Sequence, residues 1–333
     1  MQPLVSVIVP IYNAEKTLRR CLDGLLNQSL KDIEIVCIND GSTDGSLRIC
    51  QDYASKDGRV RIIDKPNSGV SDTRQTGLDN AKGEYVIQHD ADDYVDAVFL
   101  ETLYNEAVNN KADIVVCDIT QLTGSGVRYM DFSLNGHSNE ELIRDIITKT
   151  HGSLSNRLLR RDDIEKLGVR FENGLSYGED KLFLIKVLNR ILCSRGKIKA
   201  VHVPKGFVYY DTTASQLSLT KLTQKEWLGK RLALIDRVKE ELDLKTYGAA
   251  VYQYVLDRAF EIAWNHQANT LSQEVFSDAF APYENGIKQY IHPGAKKAWV
   301  MKSLKKGFRA SDKMKWIMAP TILKEKLQRR SKQ

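Results

Sequence analysis

The 333-residue sequence is 42% hydrophobic and 28% charged, enough apolar material for one large domain with an appendage or for two domains, which excludes a disordered chain. The net charge of +6 is unevenly placed: from Ala295 onward thirteen Lys or Arg face two acids, so the tail carries more than the whole excess and the rest is slightly acidic. Five cysteines (Cys21, Cys37, Cys50, Cys117, Cys193) lack paired spacing and sit in apolar patterns, which predicts buried free thiols in a reducing compartment rather than disulfides or a zinc site.

The opening "MQPLVSVIVPIYN" has no basic leader, and Pro10 breaks its apolar run too early for a signal peptide or a membrane span. No later stretch is apolar for long enough to span either, so a cytoplasmic protein is expected. "LVSVIVP" and "IEIVCIN" read as short strands buried on both faces, with Leu18, Cys21, Leu22, Leu25 and Leu26 at helical spacing between them. A helix around "DGSLRICQDYA" leads to the strand "VRIID", another spans roughly Val70 to Ala81, and the strand "EYVIQ" follows. Leu100, Leu103, Tyr104 and Ala107 mark a helix before the strand "DIVVCDI". This alternation predicts an α/β fold, Rossmann-like, with a doubly wound, mostly parallel sheet. Beyond about Ser218 strand signals fade and 224–241, 248–266 and 295–306 read as helical. The expected organisation is therefore a domain over 1–218 and a helical region over 219–333.

In such sheets ligands bind beyond the carboxyl ends of the strands. "PIYN", "NDGSTDGS", "KPNSGVSDTR" and "HDADD" stand at four of those ends. Neither a dinucleotide-binding Gly-x-Gly-x-x-Gly nor a P-loop motif is present. In "YVIQHDADDYV", Asp90, Asp92 and Asp93 crowd one turn. Such a cluster suits a divalent cation that keeps several waters and shares its other positions with substrate phosphates; the alternative is that Asp92 or Asp93 caps the helix containing Leu100.

Three segments together make the chain resemble glycosyltransferase family 2: "VSVIVPIYNAEKTLRRCLDGLLNQSLKDIEIVCINDGSTDGS", "NSGVSDTRQTGLDNAKGEYVIQHDADDYV" and "NRLLRRDDIEKLGVRFENGLSYGEDKLFLIKVL", in the family's order. The resemblance implies a GT-A fold, a UDP-sugar donor and Mn2+ or Mg2+ as cofactor. It also implies a glycan acceptor and a hexose or N-acetylhexosamine as cargo. It places Pro10 and Tyr12 at the nucleotide pocket, Tyr12 against a uracil ring and Asp40 accepting its hydrogen bond, in preference to Tyr12 as an ordinary half-buried aromatic and Asp40 as a turn former. It puts Asn67 and Arg74 at the nucleotide, where an Arg fork suits a pyrophosphate unless it serves a surface ion pair. Asp90 falls near the ribose or the metal's waters, Asp92 is the direct metal ligand, and Asp93 supports them or caps the helix. Asn39 stands where the family often has a first acid, and His89 where it carries an apolar residue; a structural imidazole is the simpler reading of His89.

"YGEDKLFLIKVL" opens a helix with Leu182, Ile185 and Leu188 inward and Glu179 and Asp180 in its first turn. A helix dipole stabilises acids there, so capping alone would account for both, and it would keep Asp180 ionised and a weak base. The resemblance makes Asp180 the base for the acceptor hydroxyl and Glu179 its orienting neighbour, which implies direct displacement with inversion. Asp211, Thr212 and Thr213 occupy a stretch where relatives often carry a cation near the diphosphate, so that contact is in doubt here. In the basic tail, Trp299, Phe308 and Trp316 interleave with lysines, which fits a peripheral membrane helix on anionic lipid or, alternatively, packing on the catalytic domain or on another subunit of a homo-oligomer. Two other function classes remain: a nucleotide-sugar-binding protein without transfer activity, told apart by donor hydrolysis, and a nucleic-acid-binding protein, disfavoured because basic residues occupy one terminus without a recognition motif.

Overall fold

The structure is a computed structural model that describes residues 2–133, 138–148, 152–175, 177–212, 223–264 and 272–306. It divides into two compact units, Met1–Ile143 with His151–Thr220, and Arg144–Thr150 with Lys221–Gln333. The expected boundary at 218 and 219 lies outside the described residues.

The first unit runs β1 (Val5–Ile11), α1 (Leu18–Leu26), β2 (Ile33–Asp40), α2 (Ser46–Ala54), β3 (Val60–Lys65), α3 (Val70–Asn80), β4 (Tyr85–Gln88) and β5 (Tyr94–Val95). It continues through α4 (Phe99–Asn110), β6 (Ile114–Thr123), β7 (Gly126–Met130), the first residues of α5 (Asn139–Thr148), whose part from Arg144 onward belongs to the second unit, β8 (Arg157–Arg160), α6 (Arg161–Lys166), α7 (Glu179–Arg195) and β9 (Ala200–Asp211). One sheet holds all the strands in the order β3-β2-β1-β4-β8-β6-β9-β5, with β7 paired to β6. The pairs β3-β2, β2-β1, β1-β4 and β6-β9 are parallel, whereas β8 joins β4 and β6 antiparallel. Because helices cover both faces, β2 buries every residue and β1 all but Pro10. Leu18, Cys21, Leu22 and Leu25 on α1 complete one layer of that core.

The sequence reading foresees the parallel half and misses β7, β8 and β9. Pro204 and Gly206 interrupt the β9 pattern, and the structure accommodates them at a register shift against Cys117 to Ile119 of β6. Cys193 is also a correction: four cysteines are buried as expected, but Cys193 is exposed, on the part of α7 beyond its buried stretch.

The opening in the sheet lies where β1 changes neighbours. β4 ends opposite Ile8, and the His89 amide donates to the Ile8 carbonyl at 2.8 Å. Alternation then aims the backbone of Pro10 toward the side where β4 has ended, so its missing N–H costs no ladder bond.

The second unit contains α8 (Gln224–Glu241), α9 (Leu244–Trp264), α10 (Gln273–Phe280), a 3-10 turn (Ala281–Tyr283), α11 (Glu284–Tyr290) and α12 (Ala295–Lys306). A reciprocal capping box between Thr223 and Glu226 starts α8. Trp299 is fully buried, its ring 6.4 Å from Phe260, while Lys296 Nζ meets Asp257 Oδ1 at 2.8 Å and Lys297 Nζ donates to the Lys288 carbonyl at 3.1 Å. The aromatic side of α12 is thus spent inside its own unit, which corrects the expectation of Trp299 at a lipid boundary. Phe308 and Trp316 lie outside the described residues. Among the described residues no helix is long and apolar enough to cross a membrane.

Candidate active site

The loops after β1 and β2 lock together at the opening. Asn13, at φ 50°, accepts from the Thr43 amide at 2.8 Å, and its own amide donates to Ser42 Oγ at 3.0 Å. Tyr12 is left 50% exposed beside this knot. Gly41 has φ +66°, and a Cβ there would sit 2.8 Å from the Asn67 amide nitrogen, so only glycine lets the β2 and β3 loops approach. Asn67 Nδ2 donates to the Asp40 carbonyl at 3.0 Å. The buried Asp40 carboxylate takes Lys65 Nζ at 2.5 Å, the Ser68 amide at 2.9 Å and the Gly69 amide at 3.0 Å. Asp40 therefore pins the loop that leads into α3, and Lys65, which the sequence reading missed, is its counter-ion. Asn39 Nδ2 donates to Asp64 Oδ1 at 2.7 Å.

The acidic turn follows β4. Helix α4 begins with Val98 at its N-cap, so neither Asp92 nor Asp93 caps it. Asp90 and Asp92 are half-buried and Asp93 is buried, with no hydrogen-bond partner for Asp93 Oδ1. His89 is wholly buried; burial drives its pKa down to about 4, leaving a neutral imidazole, and neither ring nitrogen has a hydrogen-bond partner among the described residues. Among the described residues of the first unit, buried side-chain polar atoms without a partner occur at Asn39, Arg59, Arg74, Gln88, His89, Asp93 and Asp180. Arg74 Nε and Asp180 Oδ1 face each other, and Asn39, Gln88, His89 and Asp93 stand at or near the carboxyl ends of the parallel strands, where a bound molecule would supply partners.

Arg74, from α3, brings the two predicted acid groups together. Its Nη2 donates to Asp90 Oδ1 at 2.9 Å, its Nε faces Asp180 Oδ1 at 3.0 Å out of hydrogen-bond alignment, and Glu179 Oε1 lies 3.8 Å from Nε. The expected pyrophosphate ligand is thus already engaged with carboxylates. Neither Glu179 nor Asp180 is the helix cap: Gly178, in the left-handed region, fills that position. Segment 152–155 holds the start of α7, since the Leu154 N–H favours the Asp180 carboxylate and a Cβ on Gly152 would collide with the Lys181 backbone. Sequence reasoning passed over Gly152 because its need appears only when the two segments meet.

One guanidinium meeting three carboxylates leaves the cluster short of positive charge. Burial pushes Asp180 up to about 8 against the opposing pull of Arg74, and Glu179 and Asp90 add to the rise. The expectation of a weak, dipole-stabilised base is corrected: loss of hydration outweighs the helix end. Burial, then Asp90, pushes Asp92 up to about 6, and burial with Asp90 and Asp92 raises Asp93 well above the usual carboxylate range. At the rim, Arg20 of α1 donates to the Asp92 carbonyl at 3.1 Å and to Asp211 Oδ2 at 2.9 Å. The sequence reading missed it, because nothing distinguishes Arg20 from its neighbour Arg19. Thr212 Oγ1 donates to the Leu122 carbonyl at 2.7 Å; Thr213 lies outside the described residues.

Hard carboxylate oxygens that resist ionisation together, one of them buried without a partner, fit a divalent cation of the Mg2+ or Mn2+ type. They do not form a closed cage: among the described residues, the triple whose ligand atoms lie within 4.8 Å of one another is Asp118, Asp131 and His202, elsewhere in the sheet. There Asp118 Oδ1 already accepts from the Phe132 amide at 2.7 Å and contacts His202 Nε2 at 2.8 Å, and Oδ2 accepts from Tyr129 at 2.6 Å. That network is satisfied as it stands.

Comparison with known proteins extends this picture. The profile of glycosyl transferase family 2 matches residues 6–168. The uncharacterized glycosyltransferase EpsJ of Bacillus subtilis is 36% identical over 190 residues, covering 55% of this chain and 55% of its own length. Glycosyltransferase GlyA of Streptococcus pneumoniae is 33% identical over 261 residues, covering 72% of this chain and 34% of its own. The chain spans about half the length of the first relative and about a third of the second. Among solved structures, S. aureus TarS 1-349 in complex with UDP-GlcNAc superimposes with a TM-score of 0.69 at 19% identity, over 93% of this chain and 89% of that one, which establishes the fold as GT-A. With the mixed α/β sheet, the family profile and these relatives in agreement, residues 6–168 of the chain form a region of glycosyltransferase family 2.

Proposed function

We propose that this protein is an inverting glycosyltransferase that moves a hexose or N-acetylhexosamine from a UDP-sugar to a hydroxyl of a glycan acceptor, with residues 1–218 as the catalytic domain. The observation that carries the reading is Arg74 in simultaneous contact with Asp90 of the acidic turn and Asp180 of α7, which gathers a diphosphate-side group and a base into one place. Tyr12 packs on the base of the nucleotide, and Asp40 offers its remaining acceptor capacity to the same ring while holding the loop of Asn67. Asp92 and Asp90 hold Mn2+ or Mg2+, with Asp93 behind them. That cation supplies positive charge for the departing diphosphate.

Asp180 removes the proton of the acceptor hydroxyl as the hydroxyl oxygen bonds the anomeric carbon and the bond from that carbon to the diphosphate oxygen breaks. Its raised proton affinity makes it a stronger base than an exposed aspartate, and Arg74 keeps a fraction ionised at neutral pH. Glu179 orients the acceptor or Asp180. Attack from the face opposite the leaving group inverts the anomeric centre.

A donor screen tests this: UDP or GDP release is measured from a panel of nucleotide sugars with manganese and with chelator. UDP released from one UDP-hexose or UDP-N-acetylhexosamine only when metal is present is the expected result. Absence of metal-dependent release from every donor would reject transfer and leave a nucleotide-sugar-binding protein.

A further inference from the structure

The acidic turn must hold three carboxylates close together against their own repulsion, and its backbone is gripped from outside. Arg20 Nη2 bonds the Asp92 carbonyl at 3.1 Å, and Nη1 pairs with Asp211 Oδ2, at the end of β9, at 2.9 Å. The guanidinium lies 4.5 Å above the Tyr94 ring, and Tyr94 in turn stacks on Tyr209 at 4.6 Å with the planes 3° apart. The neighbouring Cys21 thiol approaches the Asp90 carbonyl at 3.7 Å. Asp211 closes the circuit, since its backbone N–H favours the Asp93 carboxylate. The Asp211 side chain is 8% exposed and that of Arg20 41%, so the pair is anchored on the strand side and open on the helix side.

We infer that Arg20 and Asp211 are positioning residues that set the acidic turn for a cation and a nucleoside diphosphate. The inference rests on reading that turn as the donor site. Two features separate this role from ordinary stabilisation. Arg20 binds a backbone carbonyl of the turn and does not itself engage the carboxylate oxygens of Asp90 and Asp92. The planar fork also makes two bonds at fixed separation while its centre sits over an aromatic ring, a task an ammonium group performs only in part.

The experiment uses the full chain and measures UDP binding calorimetrically across a Mn2+ series and with chelator, together with the melting temperature of the metal-free protein. The unaltered protein is compared with Arg20→Ala, Arg20→Lys and Asp211→Asn. Arg20→Ala is expected to weaken Mn2+-dependent UDP binding by about 10- to 100-fold, the scale for residues that orient metal ligands. Arg20→Lys recovers part of that loss, and Asp211→Asn falls between the two. Should Arg20→Ala fail to fold, the Lys and Asn variants decide the matter. The inference is overturned if the variants lower the melting temperature while Mn2+-dependent UDP affinity stays that of the unaltered protein. If the unaltered protein binds UDP equally with Mn2+ and with chelator, the donor-site reading falls and takes this inference with it.

Discussion

Two acidic clusters in the first unit look alike in composition and differ in bookkeeping of hydrogen bonds. Asp118 is 1% exposed, and both its oxygens are engaged, by Tyr129, the Phe132 amide and His202. Asp93 is 2% exposed, yet its Oδ1 has no partner, and Asp90, Asp92 and Asp180 crowd the same region with Arg74 between. A buried carboxylate with its partners in place belongs to the architecture, whereas a group of acids short of donors and resisting ionisation is prepared for something that arrives later. The converging ligand atoms at Asp118, Asp131 and His202 would attract attention by distance alone; saturation argues the other way.

The comparison is sharpened most by Asp180→Asn. The amide keeps the shape and removes the base, so transfer falls on the order of 100- to 10,000-fold while UDP still binds with Mn2+. Near-normal turnover would remove Asp180 from the chemistry. Next in size, Asp92→Ala should weaken Mn2+-dependent UDP binding on the order of 100-fold, as expected when a charge partner worth roughly 3 kcal/mol is deleted. Equal affinity with and without chelator in the unaltered protein would break the metal assignment.

Asp118→Asn probes the other side of the contrast. It forces an amide N–H₂ toward the Tyr129 hydroxyl or the Phe132 amide and costs about 1–3 kcal/mol of folding stability. Denaturant unfolding should record that loss, and calorimetry should show Mn2+-dependent UDP affinity unchanged. A drop in that affinity instead would mean that the two clusters act together.

Much of the contrast was hidden in the sequence. The strand ends at "PIYN", "INDGS" and "HDADD" were legible because apolar runs flanked them, and three helices of the second unit announced themselves by spacing. The resemblance made Arg74 a phosphate ligand; its pairing with Asp180 depends on α7, which arrives more than a hundred residues later, and its pairing with Asp90 on how the turn after β4 folds back to α3. The direction of the Asp180 shift was misread for a related reason, since a first-turn position shows the dipole but not the depth of burial. β8 and β9 escaped because antiparallel insertion and a bulge leave no clean alternation, and with β9 went Asp211 and its tie to Arg20.

The smallest effect is a pH dependence whose sign follows from burial. Asp180 is pushed up to about 8 and Asp92 to about 6, so between their ordinary values and these the folded chain holds more protons than the unfolded one. Folding stability from both groups is therefore fully present at acid pH and is lost as pH rises, through about 6 for Asp92 and about 8 for Asp180. Asp57, bonded by Arg59, and Asp72, bonded by Ser68 and Lys65, are held below the usual range and act oppositely, losing their contribution as pH falls toward the acid limit. His89, driven down to about 4 by burial, opposes this decline up to the ordinary imidazole range, so the metal-free protein should lose melting temperature most clearly from about pH 6.5 to about pH 8, with Asp180→Asn flattening that decline. With Asp180 in its proposed role as base, the ionised form is the active one, and kcat/KM should climb over the same interval. Stability and activity then run in opposite directions with pH; a melting temperature that instead rises over this interval, in the unaltered protein and in Asp180→Asn alike, would show that Arg74 holds these carboxylates ionised and that the site is balanced without an incoming cation.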